Sequence, residues 1–454
     1  MKKYLRSDFS KNVFRLMTGT TISQMIPFLV MPLLSRLFTP EEFGLYAFYF
    51  SLVTFLVVFS TGRYELAIPL PKKHGDAWQI LLLSFLILSI FSGILFIIIL
   101  LFNVHLLAMF NRPQLGNWLY LLPLFVFLTG AYNIFTLWLH RMKLFAASAN
   151  SKVQLSFWEN AVNLFMGLRK NGISFENFSD RTQALFSKNN IVLSLNNLGF
   201  SGLLIGRLAG LIASNFYFLL KLRKSKDEYE IKIRKKDLYR LAAEHRDFPR
   251  INMLHAASDE LKNSGLSFTV LYFFMDRALG IYNQAYRLLR APLGIIGSAF
   301  GHVFFQEVAE MSYSNKPISG IIFKTLKKLF IIALPLFTAI FFLSPWFFEL
   351  FLGEKWSDVG VYAQYMTPWL FVNFIFSPVS QVALVIGKQL GFWMINLVSS
   401  ALVFTSMVFA GAIFNDIKAG LIIISITQVL YSIYLYFWLQ KIAKEHDAKN
   451  TIIS

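Results

Sequence analysis

Hydrophobic residues occur in long runs that recur along the whole chain, separated by shorter polar segments. A helix needs roughly 20 apolar residues to cross a bilayer core of ~30 Å, and most of these runs approach that length. The pattern therefore predicts an all-α polytopic membrane protein with about twelve transmembrane helices. The predicted spans lie at residues 16–37, 45–68, 78–102, 117–139, 153–168, 199–220, 250–274, 279–305, 327–351, 359–386, 391–413 and 419–440.

The eighth predicted span carries positive charge within an apolar run. Arg287 and Arg290 are three residues apart, so they share one face of a helix. A guanidinium at the bilayer centre costs about 2.5 to 3.5 kcal/mol on insertion scales. We interpret this face as one wall of a water-filled cationic chamber, with structural ion pairing as the alternative. The face continues through Asn283, Gly294, Gly297, Ser298 and His302.

The most charged stretch of the chain, Lys221 to Arg250, lies near its middle. It predicts a basic cytoplasmic linker at residues 221–249 between two six-helix lobes, at residues 1–220 and 250–454. The sequence FGLY at residues 43–46 also recurs as LGIY at residues 279–282. Internal repeats with the substrate held between them are a common transporter plan, although apolar helices also resemble one another by chance.

One polar segment does not fit this scheme. Residues 168–198 are rich in Asn, Ser and Lys and lack helical apolar periodicity. We predict an external loop with a short helix near residues 180–186. Spans five and six lie on either side of it.

The distribution of Lys and Arg residues predicts the orientation of the chain in the membrane. The net charge of +18 in a soluble protein would suggest nucleic acid as a partner, but most Lys and Arg residues lie in loops on one predicted side of the membrane. The positive-inside rule places those loops and both termini in the cytoplasm. A nucleic-acid partner is therefore not predicted.

Composition and motifs exclude several kinds of chemistry. The chain has no cysteine, which rules out disulfides, thiol nucleophiles and cysteine metal sites. Its seven histidines are scattered, and neither a nucleophile elbow nor an ATP-binding P-loop is present. No enzymatic activity and no cofactor are predicted, and an ion gradient is the expected energy source if one is required.

Further charges fall inside other predicted spans. Span two contains Arg63 and Glu65, and span six contains Arg207 among small residues. The arginines are candidates for binding an anionic head group, and Glu65 is a candidate for ion coupling. The alternatives are structural pairing, a backbone contact, or side chains that reach water from a span end.

Span seven is amphipathic rather than uniformly apolar. His255, Asp259 and Lys262 recur at helical spacing, so this face is expected to point away from lipid. Asp259, Glu260 and Lys262 are candidates for ion coupling. A satisfied pair of Asp259 with Lys262 is the alternative.

Four segments spread over both halves carry a family resemblance. They are SRLFTPEEFGLYA at residues 35–47, GLLIGRLAGL at 202–211, LGIYNQAYRLLRAPLGIIGSAF at 279–300 and FLGEKWSDVGVYAQYMTPW at 351–369. In order and spacing the chain resembles the polysaccharide-biosynthesis flippases, the lipid-linked oligosaccharide transporters of the MATE-like exporter superfamily. The polar segment at residues 168–198 departs from that family, whose members usually make a short turn there.

The resemblance implies two six-helix lobes around a cationic cavity in the bacterial inner membrane. It also implies transport of undecaprenyl-pyrophosphate-linked sugar repeat units for O-antigen, capsule or exopolysaccharide, alongside a polysaccharide polymerase and a chain-length regulator. By position, the family's lumen arginines correspond to Arg36, Arg63, Arg287 and Arg290. Two other functions remain open, a membrane polymerase or ligase acting on the same glycan and a small-molecule exporter of the same fold.

Overall fold

The computed structural model describes residues 8–171, 198–225, 235–314 and 316–453, and these residues contain helices, turns and no strand. The all-α fold class predicted from the hydrophobic pattern is therefore confirmed. The α-helices are α1 Asp8–Leu37, α2 Pro40–Ser60, α3 His74–Phe110, α4 Leu122–Arg141, α5 Phe145–Lys170, α6 Leu198–Ser225, α7 Lys235–Glu244, α8 Met253–Tyr313, α9 Ser319–Leu352, α10 Ser357–Val379, α11 Val382–Val385, α12 Gln389–Phe409 and α13 Ile417–Ile453. Short 3-10 helices occupy Tyr64–Ala67, Pro113–Leu121 and Glu354–Trp356, and π-helical turns occupy Phe248–Asn252 and Ala410–Phe414.

Eight helical segments among the described residues are long and apolar enough to cross a membrane. The helices α1, α5 and α8 are not among them, so the structure does not confirm the count of twelve spans. In α5 the difference has a clear cause, because Glu159, Asn160 and Asn163 interrupt its apolar surface and are buried. The eight segments are Pro40–Ser60, His74–Phe110, Pro113–Arg141, Gly199–Leu222, Ser319–Leu352, Glu354–Val385, Gln389–Phe414 and Ile417–Ala448.

The seventh and eighth predicted spans belong to the long helix α8. Its helical conformation is interrupted at Met275, where φ is 69° and ψ is 178°. This break lies next to the boundary predicted between residues 274 and 279. The two predicted spans therefore correspond to the two segments of α8.

The second predicted span is shorter than expected. Helix α2 ends at Ser60, and the chain then turns through Gly62 and Arg63, whose φ angles are 58° and 61°. The next residues form the 3-10 helix that begins at Tyr64. Arg63 and Glu65 consequently lie beyond the end of α2, because the left-handed turn at Gly62 stops the helix.

The start of α2 is fixed by a reciprocal capping box. Thr39 Oγ1 accepts a hydrogen bond of 3.4 Å from the backbone N–H of Glu42, and Glu42 Oε2 accepts one of 2.9 Å from the N–H of Thr39. Pro40 occupies the first helical turn, where its missing N–H costs nothing. These contacts separate α1 from α2 within the motif at residues 35–47.

The chain divides into two compact units, Met1–Ser264 and Gly265–Ser454. In the first unit α5 packs against α1 and α6, and α4 contacts α2, α3 and α6. A buried core that includes Trp138, Phe218 and Leu241 joins α4, α6 and α7. In the second unit α10 packs between α9 and α13, and α12 packs on α13. The lobe boundaries predicted at residues 220 and 250 remain predictions.

Basic segments converge at one end of the first unit. Arg141, at the end of α4, donates to the carbonyl oxygens of Ile68, Pro69 and Lys73 at 3.2, 3.2 and 3.4 Å. Arg240 on α7 donates a 2.7 Å hydrogen bond to Asp76 on α3, and this bond raises the pKa of the Arg240 guanidinium. These contacts hold the short helix α7 against the beginning of α3.

The polar segment at residues 168–198 is only partly described. Helix α5 continues to Lys170, and α6 begins at Leu198. The rest of the predicted loop, including its short helix near residues 180–186, lies outside the described residues.

Candidate anion-binding site

The exposed guanidinium of Arg290 is held by a tyrosine of its own helix. Tyr286 precedes it by one turn on α8, so the two side chains lie on the same face. Arg290 Nη1 donates a hydrogen bond of 2.6 Å to Tyr286 Oη, and Arg290 Cζ lies 5.3 Å from the centroid of the Tyr286 ring. Because a phenol is a neutral acceptor, Arg290 keeps its full positive charge.

The ring of Tyr286 is itself part of an aromatic stack. Its centroid lies 6.0 Å from that of Tyr282 with an interplanar angle of 9°, and 5.7 Å from that of Trp369 with an angle of 20°. Tyr282 and Trp369 are buried. Since Trp369 belongs to α10, a second helix sets the orientation of the ring that holds Arg290.

Arg287 is exposed and has no such constraint. It forms no hydrogen bond or ion pair with the described residues, and none of their carboxylates lies within ion-pair distance of Arg287 or Arg290. Residues three apart on a helix have Cβ atoms about 5 to 6 Å apart. The second unit therefore presents two neighbouring cations that no described carboxylate neutralises.

The other predicted members of this polar face contribute differently. Asn283 Nδ2 donates to the carbonyl oxygen of Leu279 at 3.1 Å, so its amide is engaged within the helix. The space beside Gly294 is open, and a Cβ on Gly297 would lie 3.9 Å from Phe374. The side chains of Ser298 and His302 lie outside the described residues.

Arg63 pairs with a buried carboxylate in the first unit. Its Nη1 lies 3.6 Å from Glu65 Oε1, and the hydroxyl of Thr61 also donates to Glu65. Glu65 is only 3% exposed. The alternative of a structural pair, open from the sequence alone, agrees with this geometry. Arg36, exposed in the last turn of α1, donates a 2.5 Å hydrogen bond to the Pro32 carbonyl.

Arg207 also pairs with an acid of the first unit. Its Nη1 donates a 2.8 Å hydrogen bond to Glu159 Oε2, and the hydroxyl of Tyr46 donates to Glu159 Oε1 at 3.0 Å. The Arg207 guanidinium carbon lies 5.1 Å from the ring centroid of Phe50. The positive charge expected to face a substrate is therefore compensated by Glu159.

The three ion-coupling candidates on α8 make different contacts. Asp259 Oδ2 lies 3.4 Å from His255 Nδ1, so the histidine one turn earlier is a partner of this acid. Glu260 Oε1 accepts a 2.7 Å hydrogen bond from Ser264. Lys262 is half-buried and takes part in other interactions of the fold. Within the described ranges, no group of three or more histidine or acidic side chains could hold a metal ion.

Three residues of these sites are missing from the candidates predicted by sequence. Tyr286 carried a usable signal, because the spacing of Tyr282, Tyr286 and Arg290 places all three on one helical face. Trp369 lies on another helix, and no local pattern relates it to Arg290. Glu159 is visible as an intramembrane acid, but its pairing with Arg207 depends on how α5 packs on α6.

The sequence matches known polysaccharide biosynthesis proteins in both halves. One family profile with the description "Polysaccharide biosynthesis protein" matches residues 9–158, and a second with the same description matches residues 182–361. No curated protein matches the chain at a significant level.

Solved structures share the fold at low sequence identity. The lipid II flippase MurJ in an inward closed conformation has a TM-score of 0.64 at 14% identity, with 96% of this chain and 90% of that chain covered. An inward-facing multidrug resistance MATE family transporter of the MOP superfamily has a TM-score of 0.61 at 14% identity, covering 95% and 96%. A MOP superfamily transporter from Pyrococcus furiosus has a TM-score of 0.52 at 14% identity, covering 97% of each chain.

These structures are of transporters and a flippase, not of enzymes, in agreement with the enzyme motifs absent from the sequence. The likeness extends over nearly the whole length of this chain and supports the predicted resemblance. Both halves of the chain thus match family models of polysaccharide biosynthesis proteins, and the chain has the all-helical fold of the MOP superfamily transporters.

Proposed function

We propose that this protein moves an oligosaccharide linked to undecaprenyl pyrophosphate from the cytoplasmic to the periplasmic leaflet of the inner membrane. The observation that carries the proposal is the pair of exposed guanidinium groups of Arg287 and Arg290 on α8, which have no carboxylate partner among the described residues. Their charge is opposite to that of the diphosphate, and their helix lies within an apolar membrane protein. O-antigen, capsule and exopolysaccharide units are the cargo classes that fit.

The energetic problem of this transport is the charged head group. Moving an isolated charge from water into hydrocarbon costs tens of kcal/mol on Born estimates, so the diphosphate does not cross unaided. An opposite charge about 4 Å away recovers on the order of 4 kcal/mol at an effective dielectric constant near 20. Two arginines offset part of that cost while the polyprenyl tail stays in lipid. Release on the far side then requires alternating conformations rather than a static pore.

The structure divides four of the five predicted substrate-binding arginines by their partners, while the fifth, Arg36, donates to the Pro32 carbonyl. Arg63 and Arg207 each lie within 4 Å of a carboxylate. This negative charge weakens their attraction for the diphosphate of the substrate. Arg287 and Arg290 have no such competitor among the described residues. We therefore assign the head-group contacts to Arg287 and Arg290, and propose that Arg63 and Arg207 act mainly through Glu65 and Glu159.

The first test replaces both cations. We expect Arg287→Ala/Arg290→Ala to reduce flipping of a fluorescent undecaprenyl-pyrophosphate sugar in proteoliposomes by at least about tenfold, because each lost contact is worth one or more kcal/mol. Arg287→Lys/Arg290→Lys should recover part of the rate, since the charge is kept. The measurement is the fraction of probe accessible to a membrane-impermeant reductant over time.

Arg277→Ala is the matched control, because it removes another arginine of α8. Arg277 lies 3.7 Å from Asp358 and is therefore already compensated. The control should flip at close to the wild-type rate. A wild-type rate in the double alanine variant, with normal insertion, would remove the proposed roles of both arginines.

Ion coupling is the second part of the proposal. Glu65, Asp259, Glu260 and Lys262 are its candidate groups, and the chain has no ATP-binding motif. A proton gradient imposed across the same proteoliposomes should accelerate flipping, and its collapse by an ionophore should return the rate to the basal value. Unchanged rates would exclude protons as the driving ion.

A further inference from the structure

We propose that Tyr286 is a positioning residue that orients the guanidinium of Arg290 for a diphosphate, while Arg287 stays mobile. The inference rests on the proposed function, because it assigns different tasks to the two cations of that site. It adds a residue that forms no charge pair and that the charge pattern alone does not identify.

The first support is that the position of Tyr286 is determined by more than its own helix. Tyr282 stacks on it from the preceding turn of α8, and Trp369 stacks on it from α10. Trp369 is 6% exposed and Tyr282 is 4% exposed, so both partners are packed in the interior of the second unit. Close packing of this kind leaves an aromatic ring few alternative rotamers.

The second support is the form of the contact with Arg290. The guanidinium both donates to the phenol oxygen at 2.6 Å and lies over the ring, with Cζ 5.3 Å from the centroid. Two contacts of different geometry restrict its rotation more than one contact would. A guanidinium has five N–H donors in one plane, so the remaining donors are presented in a defined direction.

The third support is the neutrality of the anchor. A carboxylate in the place of Tyr286 would hold the guanidinium equally well but would cancel its charge, as Glu159 does for Arg207. A phenol provides orientation without that loss. Pre-oriented binding groups lose less conformational entropy when the ligand arrives, and this makes their contacts stronger.

Arg287, unlike Arg290, is not held in place by any described neighbouring side chain. It lies three residues earlier on α8, is exposed, and has no partner among the described residues. A fixed cation and a mobile cation on one face can contact adjacent phosphate groups, with Arg290 defining where the anion binds. Arg287 can then follow the second phosphate, so the pair should favour a diphosphate over a monophosphate.

The experiment compares two hydroxyl deletions in the same aromatic stack. Tyr286→Phe keeps the ring, its stacking and its cation–π contact but removes the oxygen that accepts from Arg290. Tyr282→Phe removes a hydroxyl from the neighbouring stacked ring, whose oxygen accepts no hydrogen bond from Arg290. The full-length protein in detergent is titrated with inorganic pyrophosphate and, separately, with inorganic phosphate.

We expect Tyr286→Phe to weaken pyrophosphate binding roughly tenfold, the usual scale for a hydrogen bond to a charged group. Tyr282→Phe should remain within about twofold of wild type, since a neutral exchange that leaves the contacts unchanged has little effect. In an Arg290→Ala background, Tyr286→Phe should cause no further loss, because a positioning residue acts only through the group that it orients. A merely structural role for Tyr286 would leave its effect unchanged in that background.

Trp369→Phe provides a second route to the same question, in case Tyr286→Phe lowers the yield of folded protein. It retains the hydroxyl and an aromatic neighbour but changes the stacking, so binding should weaken less than in Tyr286→Phe. Wild-type binding in both variants, with Arg290→Ala impaired, would overturn the positioning role and leave the proposed function standing. Wild-type binding and flipping in Arg287→Ala/Arg290→Ala would instead overturn the proposed function itself.

Discussion

At the scale of single residues, the arginines of this protein differ by what lies next to them. Arg207 and Arg63 have carboxylate partners, Arg290 has a phenol, and Arg287 has no partner among the described residues. The same side chain is therefore a structural cation in one place and an available anion contact in another. The sequence predicted that these arginines lie in or near membrane spans, but the side chains that contact them in the fold decide their role.

The Arg207–Glu159 pair should be strongly coupled. Arg207→Met leaves Glu159 buried without its cation, and breaking a buried pair costs about 3 to 5 kcal/mol. The Arg207 side chain is 24% exposed, so we expect the lower end of that range. The double variant Glu159→Gln/Arg207→Met should recover much of the loss in thermal unfolding temperature, because no unpaired charge remains.

The matched control for this pair is Arg277→Met. Its ion pair with Asp358 has side chains that are 48% and 41% exposed, and exposed pairs contribute about 1 kcal/mol or less. Its unfolding temperature should therefore change little. Equal loss in Arg277→Met and Arg207→Met would contradict a buried, coupled pair.

At the scale of elements, α6 is organised by glycines that allow close approach to α5. A Cβ on Gly210 would lie 2.5 Å from the carbonyl oxygen of Leu155, and a Cβ on Gly206 would lie 2.7 Å from that of Glu159. Both obstacles are backbone, which cannot move aside as a flexible side chain can. This approach also brings Arg207 within hydrogen-bonding distance of Glu159.

Alanine at these glycines should therefore separate the two helices. We expect Gly206→Ala or Gly210→Ala to cost about 1 to 3 kcal/mol of unfolding free energy, the usual range for overpacking. Gly93→Ala on α3 is the control, since no atom lies within 4 Å of its added Cβ. Alanine should stabilise that helix by up to about 1 kcal/mol. Thermal unfolding in detergent distinguishes the outcomes, and equal stability of all three variants would refute the close α5–α6 contact.

At the scale of the whole molecule, basic side chains are gathered by topology rather than by one local motif. In the first unit the segment before α3, the end of α4 and helix α7 meet through the contacts of Arg141 and Arg240. The turn after α3 lies a full helix length away, since a 37-residue helix spans about 55 Å. The positive-inside rule predicts that the gathered end faces the cytoplasm.

The absence of cysteine allows a direct test of this orientation. Single substitutions Lys72→Cys, Lys143→Cys and Lys236→Cys place thiols on exposed positions at the basic end, and Asn111→Cys places one after α3. In intact cells the first three should resist a membrane-impermeant maleimide and react only after lysis. Asn111→Cys should react without lysis, and the reverse pattern would contradict cytoplasmic basic loops.

The long apolar runs determined by themselves that this chain is an all-helical membrane protein, because runs of roughly 20 apolar residues fit a helix that crosses the bilayer and satisfies all of its own backbone polar groups. The sequence also identified Arg287 and Arg290 as candidate anion contacts, because they are charged residues within an apolar run. The sequence did not predict that α2 ends before Arg63, since this end depends on a left-handed turn at Gly62. Only the tertiary structure decided which cations are neutralised: Glu159 reaches Arg207, and Trp369 reaches the ring beneath Arg290, through packing between separate helices. Such contacts join residues far apart in the chain, and periodicity within one helix carries no information about them.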